Sequence, residues 1–134
     1  MKHTLLLLLA VITINACGKK LTADYGWAEK KWVLLELQGV PVQVSGTDKD
    51  AHLVFNAKER SYYGTGGCNR LRGMYEMGAK NHLKFSAPAG TKMACADLPF
   101  EQRFFEVLNS VDKYVVDGNA LLLQSAGKVV MKLQ

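Results

Sequence analysis

The sequence is poor in the residues that build metal and catalytic sites. Its 134 residues include three histidines and three cysteines, and His3 falls in the N-terminal leader described below. The remaining His52 and His82 form no short spacing with a cysteine or a carboxylate of the kind that binds zinc, and no Cys-x-x-Cys motif is present. We therefore expect no metal ion, no cofactor, no catalytic residues and no enzymatic activity.

Long apolar runs and a large excess of one charge are also missing. The apolar run from Leu5 to Ile14 has ten residues, about half the length that crosses a bilayer. The formal net charge of +5, which becomes +4 when Lys2 leaves with the leader, is too weak to indicate a nucleic-acid partner. A hydrophobic share of 49% and a charged share of 22% are ordinary for a globular protein, so we expect one folded domain.

The first 17 residues resemble a bacterial lipoprotein signal. Lys2 supplies a short positive region, the apolar run follows, and a small residue stands directly before Cys17. In such signals the cysteine sulfur receives a diacylglyceryl group, and several acyl chains together make a stable membrane anchor. We expect residues 1–16 to be a signal peptide, Cys17 to be the lipidation site and residues 17–26 to be a tether. Because Gly18 rather than aspartate follows the cysteine, we expect attachment to the outer membrane.

The two other cysteines predict a disulfide. With Cys17 lipidated, Cys68 and Cys95 are left to pair in an oxidising compartment. They are 27 positions apart in the sequence. Closing a loop of that length is expected to stabilise the fold by about 3.6 kcal/mol. A redox or catalytic thiol is the other interpretation, but the lack of a Cys-x-x-Cys motif and of a neighbouring histidine favours a structural bond.

Short apolar segments separated by turn residues predict a mostly β domain. Strands are expected at residues 32–37, 41–44, 51–55, 61–65, 69–75, 82–85, 114–116, 121–124 and 129–133. One helix is expected after Asp97, a good N-cap, with Pro99 in its first turn. Its apolar residues recur at steps of three and four and predict one buried face, made of Phe100, Phe104, Val107, Leu108 and Val111.

The centre of the chain carries a candidate binding surface. Arg70 and Arg72 alternate along a strand and therefore share one face, opposite Leu71. With Asn69, and with Lys84 on the next strand, this face could bind an anionic head group or an acidic partner. The other interpretation is a solvated sheet face for the arginines and a turn-stabilising amide for Asn69.

The preceding glycines do not predict a nucleotide site. Gly64, Gly66 and Gly67 lack both the Walker lysine and the third Rossmann glycine, and no βαβ pattern surrounds them. Glycine permits a positive φ, a bulge or the close approach of another segment. We therefore expect these glycines to let the strand pass close to another segment just before Cys68.

The sequence resembles the META domain, or HslJ-like, family of small envelope proteins. Three groups of residues carry the resemblance. They are Trp32, Leu34, Leu37, Gly39, Pro41 and Val42 in an opening W-x-L-x-x-L-x-G-x-P-V; Gly67-Cys68-Asn69-Arg70 and Gly73-Met74-Tyr75 in a central G-C-N-x-x-x-G-x-Y; and Thr91-Lys92-Met93-Ala94-Cys95 in a T-x-M-x-C, followed by Glu101, Phe104 and Leu108. The central motifs are specific, whereas the flanking apolar matches are weak alone.

The resemblance implies a fold but no active site. We expect an α+β domain over residues 27–134, mainly antiparallel β, with a partly closed barrel-like sheet and one α-helix packed on it. Members of the family are linked to heat shock, antibiotic tolerance, motility or virulence, and the resemblance supplies no catalytic residues. The Cys68 and Cys95 pairing is the only residue role that it carries over to this chain.

Two functions remain open from the sequence. The first is a lipid-anchored, non-enzymatic binding or stress-tolerance module of the cell envelope. It would be a monomer held to the membrane at Cys17 and would bind an envelope protein or an anionic ligand. The second is a small envelope enzyme or enzyme inhibitor that uses the surface of Asn69, Arg70 and Arg72. A pocket that joins the arginines to an acid such as Glu59 or Glu76 would favour chemistry.

Overall fold

A computed structural model describes residues 26–134 and places ten strands and one helix in that range. The strands are β1 (Lys31–Leu37), β2 (Val40–Pro41), β3 (His52–Asn56), β4 (Ser61–Thr65), β5 (Arg70–Gly78), β6 (His82–Phe85), β7 (Ala89–Gly90), β8 (Lys113–Asp117), β9 (Ala120–Ser125) and β10 (Lys128–Leu133); the helix is α1 (Leu98–Ser110). The predicted signal peptide and Cys17 lie outside the described residues.

The strands form one antiparallel sheet that closes into a ring. The order of hydrogen-bonded neighbours is β10-β9-β8-β6-β5-β4-β3-β1, and β1 pairs back to β10. The two shortest strands lie off this ring, because β2 pairs with β1 and β7 pairs with β5. The pairing of β6 with β8 is the shortest in the ring and consists of one residue pair, His82 with Lys113. The predicted α+β class, mainly antiparallel with one helix, is confirmed.

The ring follows from alternation of apolar and polar residues in its strands. In β3, Leu53 and Phe55 are fully buried between half-buried neighbours, because successive side chains of a strand point to opposite faces. The inward residues of the other strands complete the core, together with Phe104 and Leu108 from α1, which packs against β6 and β10.

The helix begins and ends close to where the sequence places it. Pro99 lies in the first turn, and the predicted apolar face is buried at Phe104, Val107 and Leu108. Asp97 occupies the N-cap position, but its side chain makes no capping hydrogen bond, which differs from the prediction. A charged residue, Glu101, is buried on the apolar face and is 2% exposed.

Three strand assignments differ from the sequence-based prediction. The strand predicted at residues 69–75 continues to Gly78. The second strand covers Val40–Pro41 rather than residues 41–44, and the chain leaves the sheet once Val42 N–H has donated to Leu35 O at 2.8 Å. The two-residue strand β7 was not predicted, because Pro88 and Gly90 interrupt any strand pattern. It pairs with β5 opposite Leu71 and Arg72 and so forms one wall of the site described next.

Candidate functional site

A groove of about 1100 Å³ lies on the outer face of β3, β4 and β5. Four cationic side chains line it, Lys31, Lys49, Arg70 and Arg72, together with two acidic ones, Glu29 and Asp48. We call it the basic groove. Its other walls are β7 with Thr91 on one side and the loop of residues 45–50 on the other.

Strand register sets the order of side chains across the floor of the basic groove. One cross-strand row runs from Lys31 through Val54 and Tyr63 to Arg72. Neighbouring strands are about 4.8 Å apart, so these four residues mark out an extended floor rather than a point. Tyr63 is 54% exposed in the middle of the row.

A second row lies two residues further along the strands. There His52 stands opposite Thr65, and Thr65 stands opposite Arg70. Arg70 and Arg72 are therefore about 7 Å apart along β5 and point to the same side of the sheet. This is the face that alternation in the sequence predicts, with Leu71 buried on the opposite side.

The acidic groups of the basic groove are already engaged. The Asp48 carboxylate accepts a hydrogen bond from Lys31 Nζ at 2.9 Å, and this bond holds the pKa of Asp48 below its usual range. The Glu29 carboxylate accepts from Ala57 N–H at 3.1 Å. Within residues 26–134, Arg70 and Arg72 have no carboxylate partner, so their positive charges face the open groove.

The loop beside Lys49 is organised by one carboxylate. Asp50 accepts hydrogen bonds from Ser45 N–H at 2.9 Å, Gly46 N–H at 2.7 Å and Thr47 N–H at 3.1 Å. The bonds from Ser45 are the main cause that lowers the pKa of Asp50. Asp50 thus fixes this wall of the groove, a role that the sequence did not reveal.

A buried carboxylate fastens the start of β5 to the helix. Glu101 Oε2 accepts from Asn69 N–H at 2.6 Å and from Cys68 N–H at 3.2 Å. Its other oxygen, Oε1, accepts from Asn69 Nδ2 at 2.7 Å. We call this network, together with the bond between Cys68 and Cys95, the hairpin clamp.

Asn69 extends the hairpin clamp to the groove wall. Its Oδ1 accepts from Met93 N–H at 2.7 Å and from Thr91 Oγ at 2.8 Å, and Thr91 Oγ in turn accepts from Arg70 N–H at 3.2 Å. Asn69 is 2% exposed, so its side chain holds the scaffold beneath the arginines and does not face the groove.

The two cysteines are joined in the structure, with their Cα atoms 6.2 Å apart. The bond ties the β4–β5 connection to the segment that leads into α1. Gly66 allows this close approach, because a Cβ atom there would lie 2.8 Å from the Glu101 Cγ atom. Gly67 has a φ of +110°, which favours glycine.

The structure brings together only part of the predicted surface. Arg70 and Arg72 line the basic groove, whereas Lys84, Glu59 and Glu76 do not. Tyr63 and the two lysines were missed. Only the pairing of β1 with β3, which the sequence does not specify, places Lys31 beside Val54.

Glu101 was matched to the family pattern without a role, although the sequence carried a signal for its burial. It lies three residues before Phe104 and seven before Leu108, on the spacing of the apolar face. The position of a carboxylate in that series predicts a buried acceptor that needs partners.

A second groove of about 710 Å³, lined by Val40, Pro41, Phe100 and Arg103 among others, separates the β1–β2 turn from the start of α1. In the part of the chain that the structure describes, no group of three His, Cys, Asp or Glu side chains is arranged to hold a metal ion. Nor does that part contain a helix with the length and apolarity needed to span a membrane.

Comparison with known proteins identifies one family. The family model of the META domain matches residues 25–134. No curated protein matches the sequence significantly.

Solved structures share the fold at low sequence identity. An NMR structure of a protein from Burkholderia xenovorans is 20% identical with a TM-score of 0.62, covering 100% of this chain and 97% of that one. A second NMR structure is 22% identical with a TM-score of 0.61, covering 79% and 88%. A crystal structure of a DUF4847 family protein from Bacteroides vulgatus is 18% identical with a TM-score of 0.55, covering 79% and 90%. At such identities these similarities concern the fold alone.

Proposed function

This chain belongs to the META domain family, and we propose that it is a lipid-anchored, non-enzymatic module of the cell envelope that binds an anionic ligand in its basic groove. The membership supports a generic envelope or stress-related domain. The anionic ligand and the lipid anchor go beyond what the family membership supports, and each is argued from its own observation.

The observation that carries the ligand proposal is the pair of unpartnered arginines. Arg70 and Arg72 are exposed on the groove floor, and among residues 26–134 neither forms an ion pair with a carboxylate. Guanidinium groups bind carboxylate and phosphate through planar, two-pronged hydrogen bonds. With Cα atoms about 7 Å apart on the same side of a paired strand, the two residues present both guanidinium groups to one ligand.

The same geometry weakens the enzyme and inhibitor alternative. Chemistry at this surface would need a titratable group free to move a proton beside the arginines. The two acids of the basic groove bond to Lys31 and to Ala57, and Asn69 belongs to the hairpin clamp. The histidine of the groove, His52, is hydrogen-bonded through Nδ1 to the backbone carbonyl of Asp50 at 2.8 Å. These contacts favour binding without catalysis.

The binding proposal is tested with inorganic pyrophosphate as the probe, measured by isothermal titration calorimetry on the full chain in uncharged detergent. We expect binding that weakens with salt, and an affinity about a hundredfold lower in the Arg70→Ala/Arg72→Ala double variant. The matched control is Lys84→Ala/Lys113→Ala, which also removes two exposed cations but lies outside the groove. Equal losses in the two double variants would refute a site at the arginines.

The anchor is tested by replacing its sulfur. We expect Cys17→Ser to prevent addition of the diacylglyceryl group, and the protein to move from the membrane fraction to the soluble fraction when cells are lysed and centrifuged. Labelling with a radioactive fatty acid gives an independent readout, and wild-type protein alone should carry the label. Unchanged membrane retention of an unlabelled Cys17→Ser protein would show that something other than the lipid holds it.

A further inference from the structure

The basic groove also carries information about the kind of anion that it binds. We infer that the ligand is an acidic oligosaccharide, an inference that rests on the proposed function. One sugar ring lies on the face of Tyr63, and its carboxylate or phosphate group is bound by Arg70 and Arg72.

The strands of the groove leave no backbone edge for an acidic peptide. β3 pairs with β1 and β4, and β4 pairs with β3 and β5, so both edges of each strand are occupied. At the remaining edge, β7 pairs with β5, and Thr91 N–H donates to Arg70 O at 3.1 Å. The outer edge of the wall strand β7 spans only Ala89–Gly90, too short for a peptide to extend the sheet, so recognition falls to the side chains of the floor.

The side chain that adds specificity is Tyr63. The ring of Tyr63 is 54% exposed in the middle of the groove, so a ligand that covers it gains from burying apolar surface. One face of a sugar ring presents C–H groups of slight positive charge, which complement the negative face of an aromatic ring. Arg72 stands directly opposite Tyr63 on the next strand, so a stacked sugar brings its acidic substituent to a guanidinium.

The shape and lining of the groove disfavour a lipid as the ligand. An acyl chain needs a continuous apolar channel, whereas charged and polar side chains interrupt the apolar surface of this groove. The row from Lys31 to Arg72 crosses four strands, which suits an extended chain of several sugar units better than a compact head group.

The experiment compares defined probes by calorimetry on the full chain in a polyoxyethylene detergent, at one salt concentration. The probes are hexagalacturonate, its methyl ester, a blocked hexaglutamate peptide, dihexanoylphosphatidylglycerol and pyrophosphate. Hexaglutamate matches the side-chain charge of hexagalacturonate without a sugar ring, and the ester keeps the rings without the charge. We expect hexagalacturonate to bind at least tenfold more tightly than each of the other four.

The variant that separates stacking from charge is Tyr63→Ala. We expect it to weaken hexagalacturonate about tenfold and to leave pyrophosphate unchanged, while Tyr63→Phe keeps the wild-type affinity for both. Because Tyr63 is half exposed, neither change should disturb the core, which a thermal melt checks.

The outcomes separate this inference from the proposed function. Pyrophosphate binding at the arginines without a preference for hexagalacturonate, or without an effect of Tyr63→Ala, would overturn the saccharide and leave the anion site standing. Equal or tighter binding of the phosphatidylglycerol or of hexaglutamate would overturn it in favour of a lipid or an acidic peptide. No binding of any anionic probe would overturn both proposals.

Discussion

Replacing Glu101 by glutamine lowers the free energy of unfolding by about 3 kcal/mol, because it turns a buried acceptor into a group that must also donate. Both carboxylate oxygens face donors: Oε2 faces the N–H groups of Cys68 and Asn69, and Oε1 faces Asn69 Nδ2. Either orientation of a glutamine amide points its NH₂ group at another N–H group. One set of bonds is lost, and its buried donors are left unsatisfied.

The measurement is urea unfolding monitored by circular dichroism. The dependence of the unfolding free energy on urea concentration must be the same in the variants, so that their midpoints are comparable. The matched control is Glu106→Gln, the same change on the same helix at an exposed position, which we expect to alter stability by less than about 0.5 kcal/mol. A loss below about 1 kcal/mol at Glu101, or similar losses at both positions, would contradict the hairpin clamp.

Breaking the disulfide is the second large effect. We expect Cys68→Ser and Cys95→Ser each to lower the free energy of unfolding by about 3.6 kcal/mol, the chain-entropy estimate for the closed loop. The bond restrains the segment of Met93 and Cys95, which also supplies an N–H donor to Asn69 Oδ1. Because the two sulfurs act as one unit, the double variant should be no less stable than either single variant.

Reduction supplies the control for this series. Dithiothreitol should bring the wild-type protein to the stability of the serine variants and should leave the variants unchanged. Additive losses of stability in the double variant would show that the cysteines do not pair. So would a wild-type protein whose stability does not respond to the reductant and whose two thiols react with an alkylating reagent before reduction.

Local patterns were sufficient to predict most of the elements. The β3–β4 hairpin follows from two alternating segments around a polar turn, and α1 follows from Pro99 and the spacing of its apolar residues. Only a partly closed sheet was expected from the family resemblance, and the pairing of β1 with β10 completes the ring. No local signal pairs β1 with β10, because the two strands lie about a hundred residues apart, and their pairing is decided by the shared core.

The candidate site was predictable only in part for the same reason. Arg70 and Arg72 lie on one strand, so alternation alone places them on one face. Lys31 and Tyr63 join them through the registers of β1 with β3, β3 with β4 and β4 with β5, which the sequence does not specify. Asn69 is adjacent to the arginines in the sequence, yet its amide is drawn inward by Glu101, a partner 32 positions away.

The central claim is that the basic groove binds an anion at Arg70 and Arg72, and its most direct test locates a bound probe. The measurement is a heteronuclear NMR titration of the isotope-labelled full chain with pyrophosphate, observing backbone amides and arginine Nε–H groups. The account predicts saturable shifts at Arg70, Arg72 and their neighbours on β4 and β5. Shifts that cluster instead around Val40, Phe100 and Arg103, or that spread evenly over all cations without saturating, would contradict it.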